Sequence, residues 1–301
     1  MHSVVVVSVA FLALSARADT PPATGLEALI APIAKEHHGK VAVGVKHLVT
    51  GESYYLNGDD VMPTASLIKL PVMVEAYWQA EEGKVKLDEQ IVLKADDKVP
   101  GSGVLTDNFS PGSSLALRDA VRLMMTMSDN TATNLVLDKI SIPATGVRME
   151  AIGLKETKIH SKVFRGTTTI DKKRSGLYGL GSTTTKEMVQ LLEKIHKGEV
   201  VTPKACEEMM AILGKNQDNE KLVRLLPPGT KVAHKTGSLN AAKTDAGIVY
   251  LRDPADKKVK PAFAICVLTN ENQDQRWVVD NAAQLTIARI ARAAYDHFAP
   301  K

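Results

Sequence analysis

Thr64-Ala65-Ser66-Leu67-Ile68-Lys69-Leu70-Pro71 sets a hydroxyl and an amine three residues apart at the head of an apolar run. At helical pitch three residues turn the chain by about 300°, so Ser66 and Lys69 stand as neighbours on one face. The residues that follow, Val72-Met73-Val74-Glu75-Ala76-Tyr77-Trp78, predict a largely buried helix, which gives the pair a fixed support. Alone the pair says little, because a chain of this length holds roughly one S-x-x-K by chance. The plainer reading is an exposed serine near a helix start beside a solvated lysine.

Two further triplets change the odds: Ser128-Asp129-Asn130, and then Lys235-Thr236-Gly237. Each has a chance expectation on the order of a few per cent, so the ordered set is roughly a one-in-a-thousand accident. Taken singly, Ser-Asp-Asn reads as a helix cap, and Lys-Thr-Gly as a strand end with an exposed lysine.

Together the three motifs resemble those of the penicillin-recognising serine hydrolases, and their spacings are most similar to class A β-lactamases. The resemblance covers nearly the whole chain after its N-terminal segment. It implies a Ser66 acyl-enzyme, with Lys69 as general base, Ser128 relaying a proton to the departing amine nitrogen, and Lys235 holding negative charge nearby. Lys69 can take a proton only if its pKa falls well below about 10, as burial and a neighbouring Lys235 would arrange. The resemblance gives Asn130 to the active site and Asp129 to capping. It builds an oxyanion hole from the backbone N–H groups of Ser66 and Ser238, and Gly237 lets a ligand approach the strand. A substrate carboxylate would meet Thr236, Ser238 and a cation, for which Arg276 stands where family members often place an arginine.

One part of the family pattern is missing. Class A enzymes hydrolyse the acyl-enzyme with a water held in an E-x-x-L-N loop, yet residues 161–182 contain neither Glu nor Asn. Their one acid, Asp171, precedes Lys172-Lys173-Arg174, which would lower its pKa and weaken it as a base. Glu156 is the nearest upstream glutamate, outside any such motif. Acylation parts without the usual deacylation parts imply slow β-lactam turnover, or a different amide or ester as natural substrate.

The chain of 301 residues is 44% hydrophobic, enough for a substantial core. Net charge is +4 with a pI near 8.9 and no long Lys/Arg block, which gives a nucleic-acid role little support. Val4 to Leu14 is an apolar run too short to span a bilayer. Ser15-Ala16-Arg17-Ala18 offers an A-x-A cleavage site, so a signal peptide of residues 1–18 is expected, with a secreted or periplasmic product free of the membrane. The n-region lacks Lys and Arg. Cys206 falls in a helical pattern and Cys266 in an apolar strand, so two buried free thiols are expected rather than a disulfide. Two cysteines without clustered histidines carry no zinc signature. No cofactor is expected.

Periodicity predicts a helix over residues 25–38, strands at 41–45 and 53–56, and an almost wholly helical stretch over 66–215. Strands follow at 231–236, 244–251 and 262–269, with a turn at 253–256 and a last helix over 277–298. The implied α/β fold is a five-stranded antiparallel sheet flanked by helices, with an all-helical lobe inserted: α/β lobe about 25–62 and 221–301, helical lobe about 63–220. The cleft between them would take a small molecule. A β-lactam opened through Ser66 is the leading reading, by a chain that works as a monomer. A D-alanyl-D-alanine peptidase acting on cell-wall peptides is the rival, and a non-catalytic β-lactam or muropeptide sensor the third.

Overall fold

The alternation of Val41, Val43 and Val45 becomes the second strand of a five-stranded antiparallel sheet, in a computed structural model that describes residues 24–252 and 258–300. In chain order the strands are β1 (Lys40–His47), β2 (Ser53–Leu56), β3 (Val232–Ser238), β4 (Lys243–Arg252) and β5 (Val259–Asn270). They lie in the order β2-β1-β5-β4-β3, which leaves β3, with its Lys-Thr-Gly, on an open edge. The expected signal peptide and the turn at 253–256 lie outside the described residues.

Both faces of the sheet are buried, and side-chain size separates them. Val41, Val43, Val45, Phe263, Ile265 and Val267 face one core with helices α1 (Gly25–Lys35) and α8 (Ala282–Phe298). The alternate positions, Ala42, Ala233, Ala246, Ala264 and Cys266, face the other core and are mostly small, as close helix packing requires. At Gly44 an added Cβ would lie 3.1 Å from Thr185 O and from Val189, so glycine there lets helix α6 (Thr185–His196) sit directly on the strands. A helix expected in the inserted lobe therefore covers the sheet instead. Cys206 and Cys266 belong to the same core and are buried free thiols, as expected.

The other helices are α2 (Lys69–Glu81), α3 (Leu117–Thr126), α4 (Asn130–Ile140), α5 (Ile142–Ala151) and α7 (Pro203–Leu213). Helix α2 is buried on nearly every side, the mark of a central helix. Pro71 falls in its first turn, where no backbone donor is needed. Its buried polar groups are satisfied: Arg148 Nε donates to Glu75 at 2.9 Å, and Gln79 Nε2 donates to Glu75 at 2.7 Å and to Ile140 O at 2.9 Å.

The stretch expected to be nearly all helical also holds two small sheets, Met62–Pro63 with Gly181–Thr183 and Lys158–Ile159, and Gln90–Val92 with Ser114–Ala116. These segments are too short for periodicity to register. The last helix begins at Ala282 rather than near Trp277. Asn281 caps it, accepting from Ala283 N at 3.0 Å, while its amide donates to Asp274 O and Arg276 O and ties down the preceding loop.

Asp129 is the polar keystone between α3 and α4. Its carboxylate accepts from Ala132 N at 2.8 Å, Val104 N at 2.7 Å and Leu105 N at 2.9 Å, so the expected cap also anchors the 101–105 loop. Asp129→Ala should lower stability by about 2–4 kcal/mol, since a cap and two charged hydrogen bonds are lost together. Urea denaturation checks this; a loss below about 0.5 kcal/mol would show that the loop does not depend on the carboxylate.

Candidate active site

Ser66 lies in the short 3₁₀ turn Ala65–Ile68 that leads into α2, and Lys69 is the first residue of that helix. Two residues here hold left-handed backbones without being glycine: Ala65 (φ 47°), just before Ser66, and Ser128 (φ 54°). Each such conformation costs about 1–3 kcal/mol and persists where the surroundings impose it. Edge strand β3 closes against the turn. A Cβ added to Gly237 would come within 2.5 Å of Thr64 O and 2.8 Å of Ser66 N, so only glycine allows this approach. Thr244, opposite Gly237 in register, donates its hydroxyl to Thr64 O at 2.9 Å and locks the contact.

The Lys69 amine is fully buried and reaches Ser128 O at 2.7 Å, Asn130 Oδ1 at 2.9 Å and Ser128 Oγ at 3.2 Å. Lys235, also fully buried, reaches the same Ser128 Oγ at 3.1 Å and Thr236 O at 2.7 Å. Burial, with Lys235 adding to it, pushes the Lys69 pKa well below the ordinary value. Burial likewise lowers Lys235, opposed by Asp218 and Asp245 and aided by Lys221, to about 7. The three motifs, far apart in sequence, thus meet at one hydroxyl.

Two connected cavities open from this point, sharing Ser66, Ser102, Ser238 and Trp277. The smaller, about 420 Å³, is lined also by Ser128, Thr236, Gly237, Asp218 and Lys221. The larger, about 800 Å³, runs along the 161–180 segment past Asn130, Val163, Phe164 and Leu180 and carries no Asp or Glu. Trp277 is held at the shared mouth, its Nε1 donating to Asn240 at 2.7 Å and its ring 4.1 Å from the Lys243 amine.

Arg276 is not brought to this cleft. It is 68% exposed and forks onto Asp274 at 2.8 and 2.9 Å, and neither cavity includes it. A cation that the cleft wall does hold is Lys221, which pattern reading missed: a fully buried side chain lining the smaller cavity, 2.7 Å from Asp218. Burial pushes the Asp218 carboxyl up, but the Lys221 ammonium outweighs that and holds it at about 2.

The candidate deacylating acids are also elsewhere. Glu156 pairs with Arg174 at 2.9 Å. Asp171 caps the short helix Lys172–Tyr178 by accepting from Arg174 N, a bond that lowers its pKa. On the cleft wall stands Val163 instead, held by Asn134, which donates to Val163 O at 3.0 Å and accepts from Val163 N at 2.8 Å.

A five-stranded antiparallel sheet with a serine and two buried lysines converging at its edge defines the serine acyl-hydrolases that work without a histidine. The chain belongs to the Beta-lactamase enzyme family, which it matches over residues 25–298. Among curated relatives, Beta-lactamase CARB-3 of Pseudomonas aeruginosa is 29% identical over 66% of this chain and 67% of its own length. Among solved structures, a β-lactamase from Sphaerobacter thermophilus is 27% identical over 90% of this chain and 96% of its own, with a TM-score of 0.74. PBP-A is 25% identical over 91% and 95%, with a TM-score of 0.76, and a Leu-to-Glu mutant of PBP-A has been solved as an acyl-enzyme complex with penicillin-G.

Lys235 ties this site to stability. Its folded pKa, about 7, lies below the unfolded value near 10.4, so above pH 7 the unfolded chain binds the extra proton. Stability then rises with pH by up to about 1.4 kcal/mol per unit until the unfolded lysine titrates. Lys235→Met should therefore be inactive but more heat-stable than the parent near pH 6, with the advantage shrinking toward pH 9. Melting curves at both pH values check the sign; an advantage growing with pH would refute it.

Proposed function

We propose that this chain opens β-lactam amides through an acyl-enzyme on Ser66 and releases the acyl group slowly. The observation that carries the reading is the set of contacts around Lys69. A neutral amine has two hydrogens and one lone pair; Ser128 O and Asn130 Oδ1 accept the two hydrogens, so the lone pair is left on the side of Ser128 Oγ, at 3.2 Å, and can accept a proton there. Two charged lysines on one hydroxyl, buried and with no carboxylate in direct contact, would repel strongly, which favours the neutral form of Lys69. That amine takes the Ser66 proton as the hydroxyl attacks the amide carbon. Ser128, whose oxygen already accepts from Lys235, is left to donate its own proton to the departing nitrogen.

Thr236, Ser238 and Lys221 would receive a carboxylate on the leaving-group side, and the N–H groups of Ser66 and Ser238 the developing oxyanion. Removing one such donor typically costs about 3 kcal/mol of transition-state stabilisation. The larger cavity takes the acyl side. Because no acid lines it, water reaching the ester there finds no general base, a role typically worth about 10²–10⁴ in rate. The same feature supports a second reading, a peptidase acting on D-alanine-ended cell-wall peptides, with which the likeness to PBP-A is consistent. An exported product follows from the expected signal peptide.

Mixing the chain with a chromogenic cephalosporin should give a colour burst close to one equivalent, a matching mass increase on Ser66, and then slow turnover. Rapid steady-state hydrolysis would rule out slow release, and neither colour nor adduct would rule out β-lactam recognition. Val163→Glu, which sets a carboxylate on the Asn134-held wall of the acid-free cavity, should raise the steady-state rate at least about tenfold while leaving the burst intact. An unchanged rate would show that the missing base does not limit turnover.

A further inference from the structure

The four largest fully buried side chains in the described residues are all lysines: Lys69, Lys221, Lys235 and Lys243. Buried cations need facing carboxylates, and two of the nearby acids are accounted for, Asp129 in its loop and Asp218 on Lys221. A third, Asp245, is fully buried on β4 beside the catalytic strand, yet it lines neither cavity and touches no reacting group.

Its partners trace a closed circuit. Both Asp245 oxygens face His234 Nδ1, at 2.9 and 3.1 Å, and Oδ2 also accepts from Leu222 N at 3.1 Å. His234, 2% exposed, directly precedes Lys235, and its carbonyl accepts from Asn216 Nδ2 at 3.0 Å. Asn216 Oδ1 accepts from Asp218 N at 3.0 Å, and Asp218 Oδ2 accepts from Lys221 Nζ at 2.7 Å. Since Leu222 follows Lys221, the path returns to Asp245. Gly247 keeps room for the pair: an added Cβ there would lie 2.4 Å from His234 Cβ.

Residues 216–222 form neither helix nor strand, so nothing in their own backbone pattern fixes where Lys221 points. The circuit supplies that constraint by fastening the segment to β3 at the His234 carbonyl and to β4 at the Asp245 carboxylate. We propose that Asp245 and His234 are positioning residues for the anionic subsite, holding the 216–222 segment so that the Lys221 ammonium faces a substrate carboxylate. This rests on the reading of Lys221 as the carboxylate's cation. The pair acts on recognition of one charged group and leaves the acylation step itself to Ser66, Lys69 and Ser128.

The test uses a chromogenic cephalosporin and its methyl ester, which share the reacting amide and differ only in the carboxylate. Apparent affinity and maximal acylation rate are read separately from the colour burst and intact mass. Lys221→Met should weaken affinity for the acid about tenfold and leave the ester unchanged, as expected when one charged hydrogen bond is lost. Asp245→Asn should show the same selective loss of affinity for the acid. Asn216→Ala opens the circuit without leaving a buried charge unpaired, and should give a smaller loss of the same kind, about threefold. Equal losses on acid and ester, or no loss, in both Asp245→Asn and Asn216→Ala would overturn the proposal while Lys221→Met stays selective. A Lys221→Met variant that treats the two probes alike would instead overturn the Lys221 reading, and the proposal with it.

Discussion

Two amines share one hydroxyl oxygen at the centre of this molecule. Lys69 and Lys235 approach Ser128 Oγ at 3.2 and 3.1 Å, each cut off from water. Removing a lysine from water penalises its charged form, and a second lysine nearby deepens the penalty. The balance for Lys69 is thereby shifted toward its neutral amine form. The rest of the structure serves that exclusion of water: a nearly all-buried α2, an edge strand pressed against the Ser66 turn through Gly237, and a loop pinned by Asp129.

The same condition explains where the molecule gives up stability. Left-handed backbones at Ala65 and Ser128, and ammonium groups held in the interior, are unfavourable in isolation. They persist because one apolar core packs α2 and α3 against the sheet while the core on its other face braces β3 through Val232. Carboxylates at Asp218 and Asp245 then moderate the field without touching the reacting atoms.

The cleft is asymmetric in a chemically useful way. Its smaller arm is polar and carries Lys221 beside Asp218 and Glu220, whereas its larger arm is bounded by Val163, Phe164 and Leu180 and holds no acid. On the proposed reading the parts for forming an ester on Ser66 are assembled, and where an acid would activate water against it stands a valine backbone held by Asn134. An acidic residue nearby in sequence does not fill that role, because Glu156 and Asp171 are each turned toward Arg174.

The sequence by itself determined the three motifs, with Ser66 and Lys69 on one support, and the strands that flank them, because each depends on short-range order: three residues at helical pitch, a two-residue alternation, a glycine where a strand meets a turn. The lack of Glu and Asn in residues 161–182 was equally legible, being a matter of composition. The partners of the buried charges were not. Arg276, placed by analogy, lies next to Asp274 and is captured by it, while Lys221 has no motif and gains its place from a loop fastened to two strands by Asp245, His234 and Asn216. Tertiary structure alone decided these pairings, as it decided that α6 covers the sheet. Which charge answers which in a desolvated cleft depends on distances of a few ångströms between segments far apart along the chain, and no local pattern encodes them.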